Sequence, residues 1–179
     1  YLACFGDVSS LVKAMLEKTG DPLLRDTFST ARWLRVAPKN APWRPTVLRH
    51  LANAMQKEQF TLGLSARILT AMAVSGETNM GTFFRQFLQS EMGNILYLAI
   101  LGCGLVRDHK AVNDLGLLIE NSSSRVGQAA CLALAAIGDK PAHDTVLTAL
   151  LQGSEPVRNT AAAILALDPE RLYETVRKE

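Results

Sequence analysis

The chain has 179 residues, 48% of them hydrophobic, with 19 basic and 17 acidic side chains for a net charge of +2. That is enough apolar surface for a core, and too little charge bias to name a nucleic-acid or membrane partner. Leu and Ala supply 50 residues against 17 for Val and Ile, a balance that favours helix over strand.

The chain opens Tyr1-Leu2-Ala3-Cys4, with neither an initiator Met nor the basic-then-apolar layout of a signal peptide, so it is expected to be a piece of a longer protein. Apolar residues then recur at helical spacing, first as Val8, Leu11, Val12 and Met15. Breakers at Gly20-Asp21-Pro22, Pro38 to Pro45, Ser75-Gly76, Met92-Gly93, Asp108-His109, Asn121 to Ser124, Gly138 to Pro141, Gly153 to Pro156 and Asp168-Pro169 punctuate that pattern, because Gly ends helices and Pro starts them. About eleven short helices and no strand follow from this spacing, the last running from Pro169 to Lys178. Asp7, Asp21, Thr61, Thr78, Ser124 and Glu155 stand near helix starts as candidate N-caps. The longest uncharged apolar run, Ile95 to Val106, falls short of the ~18 residues of a membrane span.

Arg25 to Lys57 departs from the rest of the composition. Arg25, Arg32, Arg35, Lys39, Arg44, Arg49 and Lys57 face the single acid Asp26, while the chain from Asp108 onward is net acidic. Trp33 and Trp43 interleave those arginines across a loop bearing Pro38, Pro42 and Pro45. Two uses suit the pattern: tryptophans that plug a core beneath a solvated arginine face, or a surface that stacks planar groups and carries a partner. If any surface binds, the residues expected to do so are Arg32, Trp33, Arg35, Trp43, Arg44 and Arg49.

The C-terminal third repeats itself. The stretch from Arg125 to Ala136 aligns with that from Pro156 to Leu167 at an offset of 31 residues, bringing Val126 onto Val157, Ala130 onto Ala161 and Leu134 onto Leu165. Each Ala-rich helix follows a Leu-rich one, so the unit is a helix pair that cannot bury both faces alone and must stack. Small residues at Ala129, Ala130, Ala133, Ala161 and Ala162 are expected to admit close helix approach, and Leu134, Ile137 and Leu165 to fill the seam. The expected fold class is therefore all-α, an α-solenoid of about five antiparallel helix pairs forming one domain over residues 1–179, with the clearest repeats at 107–140 and 141–170.

Val126, Ala129-Ala130, Ala133-Leu134 and Ile137-Gly138-Asp139 together resemble the bacterial HEAT repeat of the phycobilisome-lyase-like type. The second copy keeps Glu155-Pro156-Val157-Arg158 but has Leu167-Asp168-Pro169 in place of Ile-Gly-Asp, as a degenerate terminal repeat would. A further segment, Ala31 to Ala52, is similar to one that precedes HEAT repeats in bacterial STAND-class NTPases. That resemblance implies the sensor-side solenoid of a NACHT-type signalling ATPase.

No chemistry-bearing constellation is complete. Gly76 to Thr82 has the glycine spacing of a phosphate loop, but Thr82 stands where the motif needs Lys. Gly102-Cys103-Gly104 lacks the third glycine of a dinucleotide fingerprint and reads as close packing. His50, His109 and His143 stand singly, and Cys4, Cys103 and Cys131 lie far apart without a CxxC pair, which fits reduced thiols of a cytoplasmic protein rather than a disulfide framework or zinc site. No catalytic, metal or cofactor residue is assigned. The expected function is a non-catalytic protein-interaction module whose partner is another protein or the remainder of its own chain. A nucleic-acid cradle like that of HEAT-like DNA glycosylases is the alternative, opposed by the low net charge. A bilin lyase-like chaperone is the second.

Overall fold

A computed structural model describes residues 7–17, 23–56, 62–77 and 79–167. Among them are ten α-helices, one 3-10 turn and no strand. The helices are α1 (Ser9–Leu16), α2 (Arg25–Leu34), α3 (Arg44–Met55), α4 (Leu62–Ala73), α5 (Met80–Arg85), α6 (Gly93–Leu105), α7 (Val112–Asn121), α8 (Ser124–Ile137), α9 (Lys140–Gln152) and α10 (Glu155–Ala166), with the 3-10 turn at His109–Ala111 before α7. The fold is all-α, of the α-solenoid class. The expected helix from Pro169 to Lys178, and the candidate caps Asp21, Thr61 and Thr78, lie outside the described residues. The chain divides into two compact units, residues 1–80 and 81–179.

From the end of the first unit onward the 31-residue period governs three copies rather than two, beginning at Glu77, Asp108 and Asp139. The positions just before them, Gly76, Arg107 and Gly138, all adopt left-handed backbone, with φ of 71°, 51° and 71°. Arg107 and Gly138 close the previous helix. After α8 the Gly138 amide donates to Leu134 O at 3.0 Å. After α6 the amides of Arg107 and Asp108 reach back to Gly104 O and Cys103 O at 3.0 and 2.9 Å, a Schellman closure made without glycine. The acid that follows starts the next helix: Asp108 Oδ1 accepts from the Lys110 amide at 3.2 Å and Asp139 Oδ1 from the Ala142 amide at 2.8 Å. Ser123 and Ser154 occupy the N-cap positions of α8 and α10, one residue before the expected Ser124 and Glu155, and neither makes a side-chain capping bond.

The same register sets the core. Ala99, Ala130 and Ala161 are fully buried in the second helix of each copy, as are Cys103, Leu134 and Leu165 one turn on. Phe84, Leu115 and Val146 are the matching buried residues of the first helix. Side-chain volume moves between the two helices from copy to copy. Large Phe84 is matched by Gly102, where a Cβ would sit 2.7 Å from the Phe84 ring; the next copies hold Leu115 with Ala133, and Val146 with Ile164. At Gly104 a Cβ would lie 2.8 Å from Ala133 Cα, so backbone meets backbone between α6 and α8. Close packing is thus what Gly102 and Gly104 provide.

Helices α1 to α4 of the first unit have no such period. Its core gathers Val12, Phe28, Leu34, Trp43, Val47, Leu51, Ile68, Leu69 and Met72 from α1 to α4, and its connections are longer. The Pro-rich loop between α2 and α3 turns through Ala41 N to Pro38 O and Arg44 N to Ala41 O, both 3.1 Å, before Pro45 fixes the first turn of α3.

Candidate functional site

That loop delivers Arg44 to the interior. Its side chain is only 1% exposed and its guanidinium donates five hydrogen bonds. Nη1 reaches Leu34 O at 2.6 Å and Ala37 O at 3.2 Å, Nη2 reaches Ser75 O at 3.0 Å, and Nε and Nη2 converge on Glu77 Oε1 at 2.8 and 2.6 Å. The orphan carbonyls at the end of α2 and in the turn after α4 thus find donors, and Glu77 neutralises the buried charge. Lys39 adds Nζ to Ser75 O at 3.2 Å and to Gly76 O at 2.5 Å. Arg44, expected on a solvated basic face, is instead an internal clamp, because only a planar five-donor cation could satisfy those carbonyls together.

Trp43 is likewise buried, at 2% exposure. Trp33 is half-buried and meets it edge to face, with centroids 6.3 Å apart and planes at 87°, so the pair fills the core as the first of the two sequence readings has it. Arg32, Arg35 and Arg49 are exposed. Lys57 lies outside the described residues.

What the charge window missed is Arg67. It lies on α4, ten residues beyond Lys57, and its guanidinium carbon sits 4.3 Å from the centroid of the Phe28 ring. Phe28, Ala31 and Arg32 of α2 and Ala66, Arg67, Thr70, Ala71 and Val74 of α4 line a groove of about 360 Å³. Helical spacing could have found it: Phe28 and Arg32 are one turn apart, as are Arg67 and Ala71, so each helix presents a cation beside a small or aromatic residue.

In the second unit the acids at the copy starts each hold a basic side chain from the copy before. Arg85 pairs with Asp108, and His109 Nδ1 lies 2.7 Å from Asp139 Oδ2. His109 stands singly in sequence because its partner is thirty residues away. Partial burial works against ionisation of Asp139, but the Ala142 amide and the His109 ring outweigh it and hold the carboxyl below its ordinary value. Cys103 and Cys131 are buried, and burial pushes their thiols up to about 12 and about 11. They serve as small core hydrophobes. Among the described residues no three His, Cys, Asp or Glu side chains converge as metal ligands would, and no helix is long and apolar enough to cross a membrane.

The second unit exposes a different surface. Leu101, Leu132 and Ala163 occupy one register position of the stacked helices α6, α8 and α10, and Leu105, Ala136 and Leu167 the next turn. Leu101 is half-buried and the other five are exposed, Leu105 at 56%, Leu132 at 50% and Leu167 at 87%. Helix α6 contains no charged residue, α8 only Arg125 and α10 only Glu155 and Arg158, both in its first turn.

Residues 82–168 match the family model of HEAT repeats. The match spans the three copies from α5 to the end of α10, one more than the internal repeat displays by eye. No curated protein and no solved structure matches the chain. HEAT repeats are in general protein-interaction scaffolds, a description in keeping with an uncharged, exposed strip that recurs from copy to copy.

Proposed function

We propose that residues 1–179 act as one non-catalytic protein-interaction module, with a protein partner seated across the HEAT repeats. The observation that carries this reading is the strip formed by Leu101, Leu105, Leu132, Ala136, Ala163 and Leu167 on three stacked helices. Exposed apolar side chains scattered singly are ordinary, but a row repeated in register is what a protein interface uses. Such a strip gives phosphates nothing to meet, which argues for protein over nucleic acid. A photocrosslinking amino acid placed at Leu132, and in a second variant at exposed Asn113 on α7, tests it in the cells that make the protein. A discrete protein adduct from position 132 and not from 113 is expected. Nucleic-acid adducts, or none, remove the reading.

A finer assignment, the ligand-sensing region of a NACHT-type signalling NTPase, draws on the resemblance of residues 31–52. In that segment Trp43 and Arg44 have internal work, so sensing falls to its exposed members Arg32, Arg35 and Arg49 and to what lies beside them.

A further inference from the structure

We propose that the α2–α4 groove of the first unit binds an acidic segment of a partner protein, one apolar side chain entering the groove and flanking carboxylates meeting Arg32 and Arg67. This rests on the protein-interaction reading above and gives that reading a second contact point with a chemistry of its own.

Three features of the groove select that ligand. Its floor is apolar: Phe28 and Ala31 from α2 face Ala66 and Ala71 from α4. The one hydroxyl there, Thr70 Oγ1, already donates to Ala66 O at 2.9 Å, so the floor asks for a hydrocarbon or aromatic group rather than a polar one. A volume of about 360 Å³ accepts one or two side chains and is too small for a second helix laid along it.

The rim supplies the charge. Both ionisable residues lining the groove are arginines, and no acid lines it. Arg67 is held over the Phe28 ring, which fixes the long side chain in place and lowers the entropy lost on binding a carboxylate. Arg32 is exposed on the opposite wall, and Arg35 follows it by three residues at the end of α2. Glu77, the acid of the adjoining loop, is taken up by buried Arg44. The excess of base in this region is therefore real at the surface, and a carboxylate bound by a guanidinium in a partly desolvated groove gains a bidentate, charge-assisted contact. Two arginines on an apolar slot suit a peptide, whereas a nucleic-acid site would need a stripe of cations for roughly six to ten phosphates.

The test is selection of a display library of random 12-residue peptides on the full chain, followed by titration of the enriched peptides as fluorescent synthetics. Enriched sequences are expected to place Leu, Ile, Phe or Trp between Asp or Glu residues, with binding that weakens as salt is raised. Affinity should fall about tenfold or more in the Arg32→Gln, Arg67→Gln double variant and also in Thr70→Trp, which fills the groove without touching charge. Arg158→Gln, an exposed arginine of the second unit, should leave it unchanged, and melting temperatures should confirm that each variant is folded. Enrichment of neutral or basic peptides, no enrichment at all, equal binding by polyglutamate, or insensitivity to Thr70→Trp each overturn the proposal. So does displacement of the peptide by duplex DNA, or self-association of the chain that Arg67→Gln dissolves. None of these outcomes touches the crosslink at Leu132, so the groove and the general reading fail separately.

Discussion

The two units solve one problem, how to hold short helices in layers, by opposite means. The first uses a buried cation: Arg44 gathers carbonyls from the end of α2 and the turn after α4, together with Glu77. The second uses small residues at repeated positions, with Gly104 set against Ala133 and Ala99, Ala130 and Ala161 buried in one register. Where the period is kept, α6 and α8 close on left-handed residues, Arg107 and Gly138, whose own backbone amides bond back into the helix. Where loops are irregular, as from Ala37 to Trp43, their carbonyls end up buried and something must bond them. Glu77, Asp108 and Asp139 share one register position, and each holds a basic side chain from earlier in the chain: Arg44, Arg85 and His109.

The comparison breaks most visibly at its polar end. Arg44→Ala should cost about 3 to 5 kcal/mol, because it strands the Glu77 carboxylate and the Leu34 and Ala37 carbonyls, and Arg44→Lys should recover little of it since a point charge cannot reach all four acceptors. Urea unfolding of both variants measures this, and a mild Arg44→Ala would mean that the clamp is dispensable. Leu134→Ala, in the seam of the periodic unit, should cost about 2 to 5 kcal/mol through the cavity it leaves.

Smaller effects sharpen the volume argument. Gly102→Ala should destabilise by about 1 to 3 kcal/mol by overpacking against Phe84. Combined with Phe84→Leu it should restore the Leu–Ala pairing found at Leu115 and Ala133, so the double variant should be more stable than the sum of the singles implies. Strict additivity in a melting series would show that the two positions do not share space.

At the copy junctions pH gives the reading. Asp139 is held below its ordinary value in the folded state, so its contribution is present above about pH 4 and is lost as pH falls through the depressed folded value. Asp139→Asn should therefore flatten the acid limb of a stability–pH curve while leaving its neutral region lowered. The smallest effect belongs to the solvated residues: Arg49→Ala and Arg158→Ala should each change stability by less than about 0.5 kcal/mol. If either matched Leu134→Ala, the assignment of exposed faces would be wrong.

The all-helical class, the helix spacing and the last two copies of the repeat were legible in the sequence because each rests on local facts: helical periodicity, Gly and Pro at the ends, and Ala130 and Leu134 recurring as Ala161 and Leu165. The first copy was hidden because it preserves volume rather than identity, trading Leu and Ala for Phe84 and Gly102. Its left-handed positions likewise keep a backbone angle that Gly76 and Arg107 reach with different side chains.

The basic segment was visible as charge, but charge in one dimension cannot say which arginine turns inward. Arg44 and Arg49 look alike in the chain, and only the meeting of the α2 end, the Pro-rich loop and the turn after α4 makes one a buried clamp and leaves the other in solvent. Arg67 became part of a groove, and His109 the partner of Asp139, for the same reason. Periodicity and capping are fixed by neighbours within a few residues, whereas burial, pairing and the lining of a groove depend on which distant segments the packing of helices brings together.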